Sequence, residues 1–195
     1  MRSICLYCGS SPGVSPAFTQ AAADFGAAVA ARGWRLVYGG GGGGLMGVAA
    51  RAALAAGGEV VGIIPRALLE QEHGLREVSE LIVTESLRER KGIMFERSDS
   101  FVALPGGFGT LEEVVETLTL RQLRYHKKPV YFLNTDGFYD PLLAFFTHAV
   151  AAGFVHPAQL VLFTVTADVP GLMALLAQAP DATSPAGALK PPALG

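Results

Sequence analysis

Short apolar runs alternate with segments of helical length along almost the whole chain, and this alternation restricts the fold more than any single residue. The runs occupy residues 3 to 8, 35 to 38, 59 to 64, 80 to 84, 100 to 104, 129 to 133 and 160 to 165. Helix-length segments lie between most of them, at 16 to 32 and 45 to 56, both rich in alanine, then at 86 to 98, 110 to 125 and 139 to 152, with a last one at 168 to 178. Strands alternating with helices require crossover connections, so the pattern predicts an α/β fold of Rossmann-like type: a parallel sheet of about seven strands with helices on both faces. In such sheets ligands bind beyond the carboxyl ends of the strands.

A chain of 195 residues, half of them hydrophobic, suffices for one sizeable core. The expectation is a single domain over 1 to 178, followed by a disordered tail at 179 to 195, "APDATSPAGALKPPALG", which is rich in proline and small residues. Fifteen basic and 17 acidic residues leave a formal charge of -2, so no global field favours nucleic acid or an anionic membrane. No apolar run approaches the roughly 20 residues that span a bilayer, and the expected location is cytoplasmic. Cys5 and Cys8 form a C-x-x-C, but within an apolar first strand, where residues three apart face opposite sides; they read as core cysteines.

Two glycine-rich loops fall at strand ends. "LVYGGGGGGLMG" contains G-x-G-x-x-G at Gly42, Gly44 and Gly47, yet it follows the second predicted strand, lacks an acid at the end of the next one, and has no Gly-Lys-Ser/Thr ending. It serves either as a tight turn that lets helix and sheet approach or as a backbone surface for a ligand. "VALPGGFGTLEEVVE", residues 102 to 116, is more specific. Pro105 stops the strand, Gly106, Gly107 and Gly109 permit unusual backbone angles, and Thr110 is placed to cap a helix whose first N–H groups face outward, an anion cradle without lysine.

Glu113 has two readings. Thr110-Leu111-Glu112-Glu113 fits a capping box, and the apolar spacing of Leu111, Val114, Val115 and Leu118 puts Glu112, Glu113 and Glu116 on the outer half of the helix. Alternatively, Glu113 is a functional carboxylate. In "ESLRERKGIMFER", Arg90 and Lys91 occupy the stripe between Leu87 and Met94, where a core-facing helix wants apolar side chains. Either their stems snorkel to solvent or each cation meets an anion. A cationic pair, an anion cradle and spare carboxylates together suit a sugar phosphate with a leaving group.

"PGGFGTLEE" resembles the P-G-G-x-G-T-x-x-E signature of the Lonely guy family, the cytokinin riboside 5'-monophosphate phosphoribohydrolases. "CLYCGSSPG", "LVYGGGGGGLMG", "GIIPRALLEQE", "RERKGIMFERSDSFVALPGG", "HKKPVYFLNTDGFYDPLL" and "AVAAGFV" are similar to the family's successive blocks, in order, over roughly residues 3 to 178. One departure is Gly42, where relatives commonly carry serine, so a hydroxyl is missing from the first loop. The resemblance implies a Rossmann-like homodimer that hydrolyses the N-glycosidic bond of a nucleoside 5'-monophosphate to free base and ribose 5-phosphate, with no metal or organic cofactor. It implies Arg90 and Glu113 as the catalytic pair. Glu72, Lys91, the run Gly106, Gly107, Phe108, Gly109, Thr110, Leu111 and Glu112, and also Thr119, would line the nucleotide pocket. A nucleotide-binding module without chemistry is the alternative, because the same loop would hold a phosphate whether or not a bond breaks.

Elsewhere, His126 in "RYHKKP" reads as a cation near a helix end. His73, His148 and His156 show no metal-ligand spacing. "NTDGFYDP" reads as a turn into a helix whose Phe138 and Tyr139 also suit a subunit contact.

Overall fold

The apolar runs pair side by side in register. The computed structural model describes residues 1–69 and 74–179, and in it seven strands form one sheet: β1 (Ser3–Tyr7), β2 (Arg35–Tyr38), β3 (Glu59–Pro65), β4 (Glu80–Thr84), β5 (Ser100–Ala103), β6 (Val130–Leu133) and β7 (Thr164–Thr166). Every pairing is parallel, and the spatial order is β4-β3-β2-β1-β5-β6-β7. The expected Rossmann-like α/β fold with helices on both faces is therefore correct. Glu72 and His73, and residues 180–195 of the expected tail, lie outside the described residues.

The helices are α1 (Pro16–Ala31), α2 (Gly44–Ala55), α3 (Arg66–Leu69), α4 (Leu87–Glu96), α5 (Phe108–Gln122), α6 (Asp140–Ala151) and α7 (Val169–Gln178). Successive strand residues point to opposite faces, so β1 sends Ile4 and Leu6 into one core cluster, with α1, α2 and α7, and Cys5 and Tyr7 into another, with α4, α5 and α6. Cys8, just past β1, joins the first cluster. Both thiols are free and buried on opposite faces, and burial raises their pKa values, consistent with inert core cysteines. The alanines of α1 and α2 have a geometric purpose: a Cβ built on Gly26 would fall 2.1 Å from the Ala49 carbonyl oxygen, so the two backbones touch.

The run at 160 to 165 is not a single strand. Pro157–Leu162 forms a 3-10 helix, opened by His156, whose ring accepts from Ala158 N–H while Gln159 returns to the His156 N–H, and only Thr164–Thr166 pairs with the sheet, at its edge. Apolar content marks a buried or half-buried segment, and a proline-started turn satisfies it as well as a strand does. "NTDGFYDP" does form a turn, with Asp136 and Gly137 at positive φ. Tyr139 is not a subunit contact, however: it is 1% exposed and its hydroxyl donates to Leu104 O at 2.6 Å, whereas Phe138 stays partly exposed. His126 does bond to a carbonyl of α5, Thr117 O, but it is buried, and burial disfavours the expected cation by lowering its pKa, partly opposed by that bond.

The strand order reverses between β1 and β5, and their loops meet at that switch point: Leu104 N–H donates to Tyr7 O at 2.9 Å and Gly9 N–H to Pro105 O at 3.0 Å. A crevice at a switch point is where an open parallel sheet has room for a ligand.

Candidate active site

The two glycine loops end in two helix N-termini, which differ in what their N–H groups do. At α2 the cap is Gly43, and Leu45 and Met46 both direct N–H groups at Gly9 O, at 3.0 and 3.4 Å. Gly44 has φ +53° and sits against the Ser10 backbone, where a Cβ would come within 2.2 Å of the carbonyl carbon. Gly47 is equally confined, since its Cβ would fall 1.9 Å from Gly42 O. Arg51 also donates to Gly42 O, at 3.0 Å. The helix end behind the six glycines is thus occupied by protein, which supports the tight-turn reading.

At α5 the helix begins at Phe108, two residues before the expected start, and Gly107 is its cap with no side-chain hydrogen bond. The first bond of the ladder, Leu111 N–H to Gly107 O at 3.0 Å, leaves the N–H groups of Phe108, Gly109 and Thr110 ahead of it. Phe108 is 94% exposed, and nothing stands within 4 Å of a Cβ built on Gly107 or Gly109. This helix end is open. Thr110 does not cap it, because it lies inside the first turn, and the capping box is absent. Instead Thr110 is buried, with Oγ1 against Gly106, where a Cβ would fall 2.1 Å away.

The buried stripe of α5 is Thr110, Glu113, Val114 and Thr117, flanked by half-buried Leu111 and Leu118; Val115 is turned outward. Glu113 therefore faces inward, not to solvent as the apolar spacing suggested. Its Oε1 accepts from Arg90 Nη2 at 2.9 Å, and both side chains are about nine-tenths buried, 11% and 10% exposed. Arg90 comes from α4, a helix capped by Ser86, whose hydroxyl accepts from Glu89 N–H at 3.1 Å. The neighbouring Lys91 bonds to Glu112, and to Glu116 at 2.8 Å. Burial works against the Lys91 charge, but hydrogen bonds to both glutamates outweigh it and hold the ammonium above its ordinary range. The cations on the α4 stripe do meet anions, and α5 supplies them.

Arg90 also reaches the first loop. A Cβ built on Gly39 would lie 3.5 Å from Nη1, so this glycine borders the guanidinium, and the buried Arg90 Nε has no hydrogen-bond partner among the described residues. A donor left idle in a desolvated place is costly unless something arrives to use it. The structure thus brings together Arg90, Lys91, Glu112, Glu113 and the 106–110 turn. It does not bring Thr119 to them: Thr119 is exposed, donates to Val115 O at 2.8 Å, and lines an apolar groove with Leu118, Phe146, Leu160 and Phe163. Sequence reasoning missed Glu116 as a partner of Lys91; its position four residues past Glu112, on the same helix face, was the available signal.

A family model described as "Possible lysine decarboxylase" matches residues 46–176. The cytokinin riboside 5'-monophosphate phosphoribohydrolase LOG of Oryza sativa subsp. japonica is 47% identical over 154 residues, which cover 79% of this chain and 64% of that protein. The cytokinin riboside 5'-monophosphate phosphoribohydrolase LOG5 of Arabidopsis thaliana is 44% identical over 162 residues, covering 83% of this chain and 71% of its own length. The chain thus spans roughly two thirds of the length of these relatives. Among solved structures, the molybdenum cofactor carrier protein of Chlamydomonas reinhardtii superposes with a TM-score of 0.69 at 28% identity, covering 91% of this chain and 96% of that one.

Proposed function

Because the chain belongs to the Lonely guy family, we propose that it is a phosphoribohydrolase that cleaves the N-glycosidic bond of a cytokinin riboside 5'-monophosphate or a similar adenine nucleotide, such as AMP. Water is consumed, and the products are the free base and ribose 5-phosphate. The observation that carries this reading is the buried Arg90–Glu113 pair beside an open helix N-terminus.

Breaking a ribosyl–base bond builds positive charge on the sugar and negative charge on the base. A carboxylate at the sugar and a cation at the leaving group stabilise those charges where they develop, and a site that excludes water strengthens both effects. Glu113 takes the first role. Arg90, whose Nε is idle in the resting pair, takes the second. The N–H groups at Phe108, Gly109 and Thr110 hold the 5'-phosphate, with the helix dipole adding roughly 0.3 to 2 kcal/mol. Gripping the phosphate at a distance from the reacting bond lets binding energy position that bond. Glu72 and Lys91 complete the pocket in this reading, with Lys91 held in place by Glu112 and Glu116.

The apolar groove on the outer face of α5, with Thr119 on its wall and Phe145 and Phe154 exposed nearby, supports a homodimer formed through that face. The molybdenum cofactor carrier supports a second reading, in which the same fold binds a ligand without chemistry. Incubation with AMP and with isopentenyladenosine monophosphate separates the two. Release of base together with ribose 5-phosphate supports the hydrolase, and binding without release sinks it.

A further inference from the structure

The segment that follows α5 is not absorbed by the site, yet it touches both helices that build it. His126 Nε2 lies 2.9 Å from Thr117 O in α5. A carbonyl only accepts, so the ring proton is on Nε2, and Nδ1 then accepts from Lys128 N–H at 3.1 Å. Both ring nitrogens are engaged, and the tautomer is fixed. Lys128 turns the other way, to α4. Its ammonium donates to Phe95 O at 2.7 Å, in the last turn of that helix, and lies 4.4 Å above the Phe95 ring. Two residues of one short segment, His126 and Lys128, thus hold a backbone carbonyl in each of the helices that bear Arg90 and Glu113.

The grip continues toward the pair. Thr117 Oγ1 donates to Glu113 O at 2.9 Å, which leaves Tyr7 as the donor in its 3.1 Å bond to Thr117. Phe95 stands edge-on to His126 at 5.0 Å and stacks on Phe101 at 5.4 Å, and Phe101 stacks on Tyr7 at 5.9 Å. Apolar packing alone would hold two helices together with no charge to desolvate. Burying a histidine and half-burying a lysine there costs solvation, and what they add is direction.

We propose that His126 and Lys128 are positioning residues, a clamp that sets the spacing of α4 and α5 and with it the Arg90–Glu113 contact. The proposal rests on the reading that this pair carries the reaction. Lys128→Met keeps the stem and removes the ammonium; His126→Phe keeps the ring and removes both bonds; His126→Gln offers an amide in their place. With AMP as substrate, Lys128→Met and His126→Phe are expected to lower kcat by about tenfold or more while KM stays within about twofold, and His126→Gln to recover most of the loss. The double variant Lys128→Met/His126→Phe should be little worse than the poorer single variant, as for two parts of one device. Unchanged kcat with only a lower Tm would overturn the clamp. A second readout does not depend on turnover: a crystal structure of Lys128→Met should show Arg90 Nη2 and Glu113 Oε1 beyond hydrogen-bond distance, and retention of the 2.9 Å contact would equally refute the proposal. If the wild type releases no base, the hydrolase reading falls and this structural comparison decides the clamp. Should His126→Phe fail to fold, Lys128→Met and His126→Gln decide it.

Discussion

The α2 and α5 N-termini resemble each other in sequence, glycine-rich and next to a strand end, but they differ in who uses their donors. At α2, Leu45 and Met46 are both directed at Gly9 O, and Gly44 and Gly47 are confined by backbone atoms. At α5 the first three N–H groups precede the ladder, and Gly107 and Gly109 face open space. Six consecutive glycines thus mark a place where polypeptide packs on polypeptide. The shorter run marks a helix end whose first donors no backbone carbonyl of the loop takes up. Counting glycines therefore says little about anion binding, whereas accounting for each N–H says much.

The comparison predicts different failures for the two helices. The largest expected effect is at the pair behind the open one: Glu113→Gln retains a group to accept from Arg90 but removes the carboxylate, so base release from AMP should fall by about 10²–10⁴-fold with a folded protein. Full activity would reduce Glu113 to a structural partner of Arg90. Next, Gly44→Ala imposes φ +53° on an alanine and drives its methyl into the Ser10 backbone. A loss on the order of 2 kcal/mol or more in denaturant unfolding is expected, and wild-type stability would show that the closed helix end is less closed than described. By contrast, Gly109→Ala meets nothing within 4 Å. Its stability should stay within about 0.5 kcal/mol of wild type, while KM for AMP rises because a methyl crowds the anion's approach. A destabilised variant with normal KM would reverse the roles assigned to the two loops.

The smallest effect concerns the clamp side of α5. Burial lowers the His126 pKa below its ordinary 6.5, so on acidification the unfolded chain binds the proton first. The stability is fully present above that value, declines as pH drops below 6.5, and is lost through the lower folded-state pKa. Thermal unfolding between pH of about 7 and 5 should show a shallower decline for His126→Gln than for the wild type. Equal slopes would mean that His126 does not control this window.

How far this difference was readable from the sequence depends on which force sets each element. Strands and long helices follow burial, which leaves a periodic trace, and six of the seven apolar runs became strands almost as drawn. The seventh, near residue 160, became a 3-10 helix and a short edge strand because burial does not encode backbone type. At the site, Arg90 and Lys91 were conspicuous as charges on an apolar stripe, and that misfit was real. Glu113 was misplaced, since its helix buries a stripe of Thr110, Glu113, Val114 and Thr117 that is half polar, and a polar residue satisfied by a partner from another helix is invisible to hydrophobic spacing. The cap was misjudged for a related reason: Thr110 is a good capping residue, but a packing role against Gly106 claimed it first. Which of the two loops is spent internally depends on Gly9, more than thirty residues away from α2 in sequence, and no local motif records that contact.

The charge ledger of the site has a kinetic corollary. Among the described residues, the ion pairs of this cluster set two cations, Arg90 and Lys91, against three carboxylates, Glu112, Glu113 and Glu116, so these pairs leave no excess positive charge to draw a nucleotide from afar. A dianionic ligand is then captured only on contact, by amide donors at close range. Its association should be slow compared with electrostatically steered encounters and nearly indifferent to ionic strength, so that selectivity resides in how long the nucleotide stays rather than in how fast it arrives.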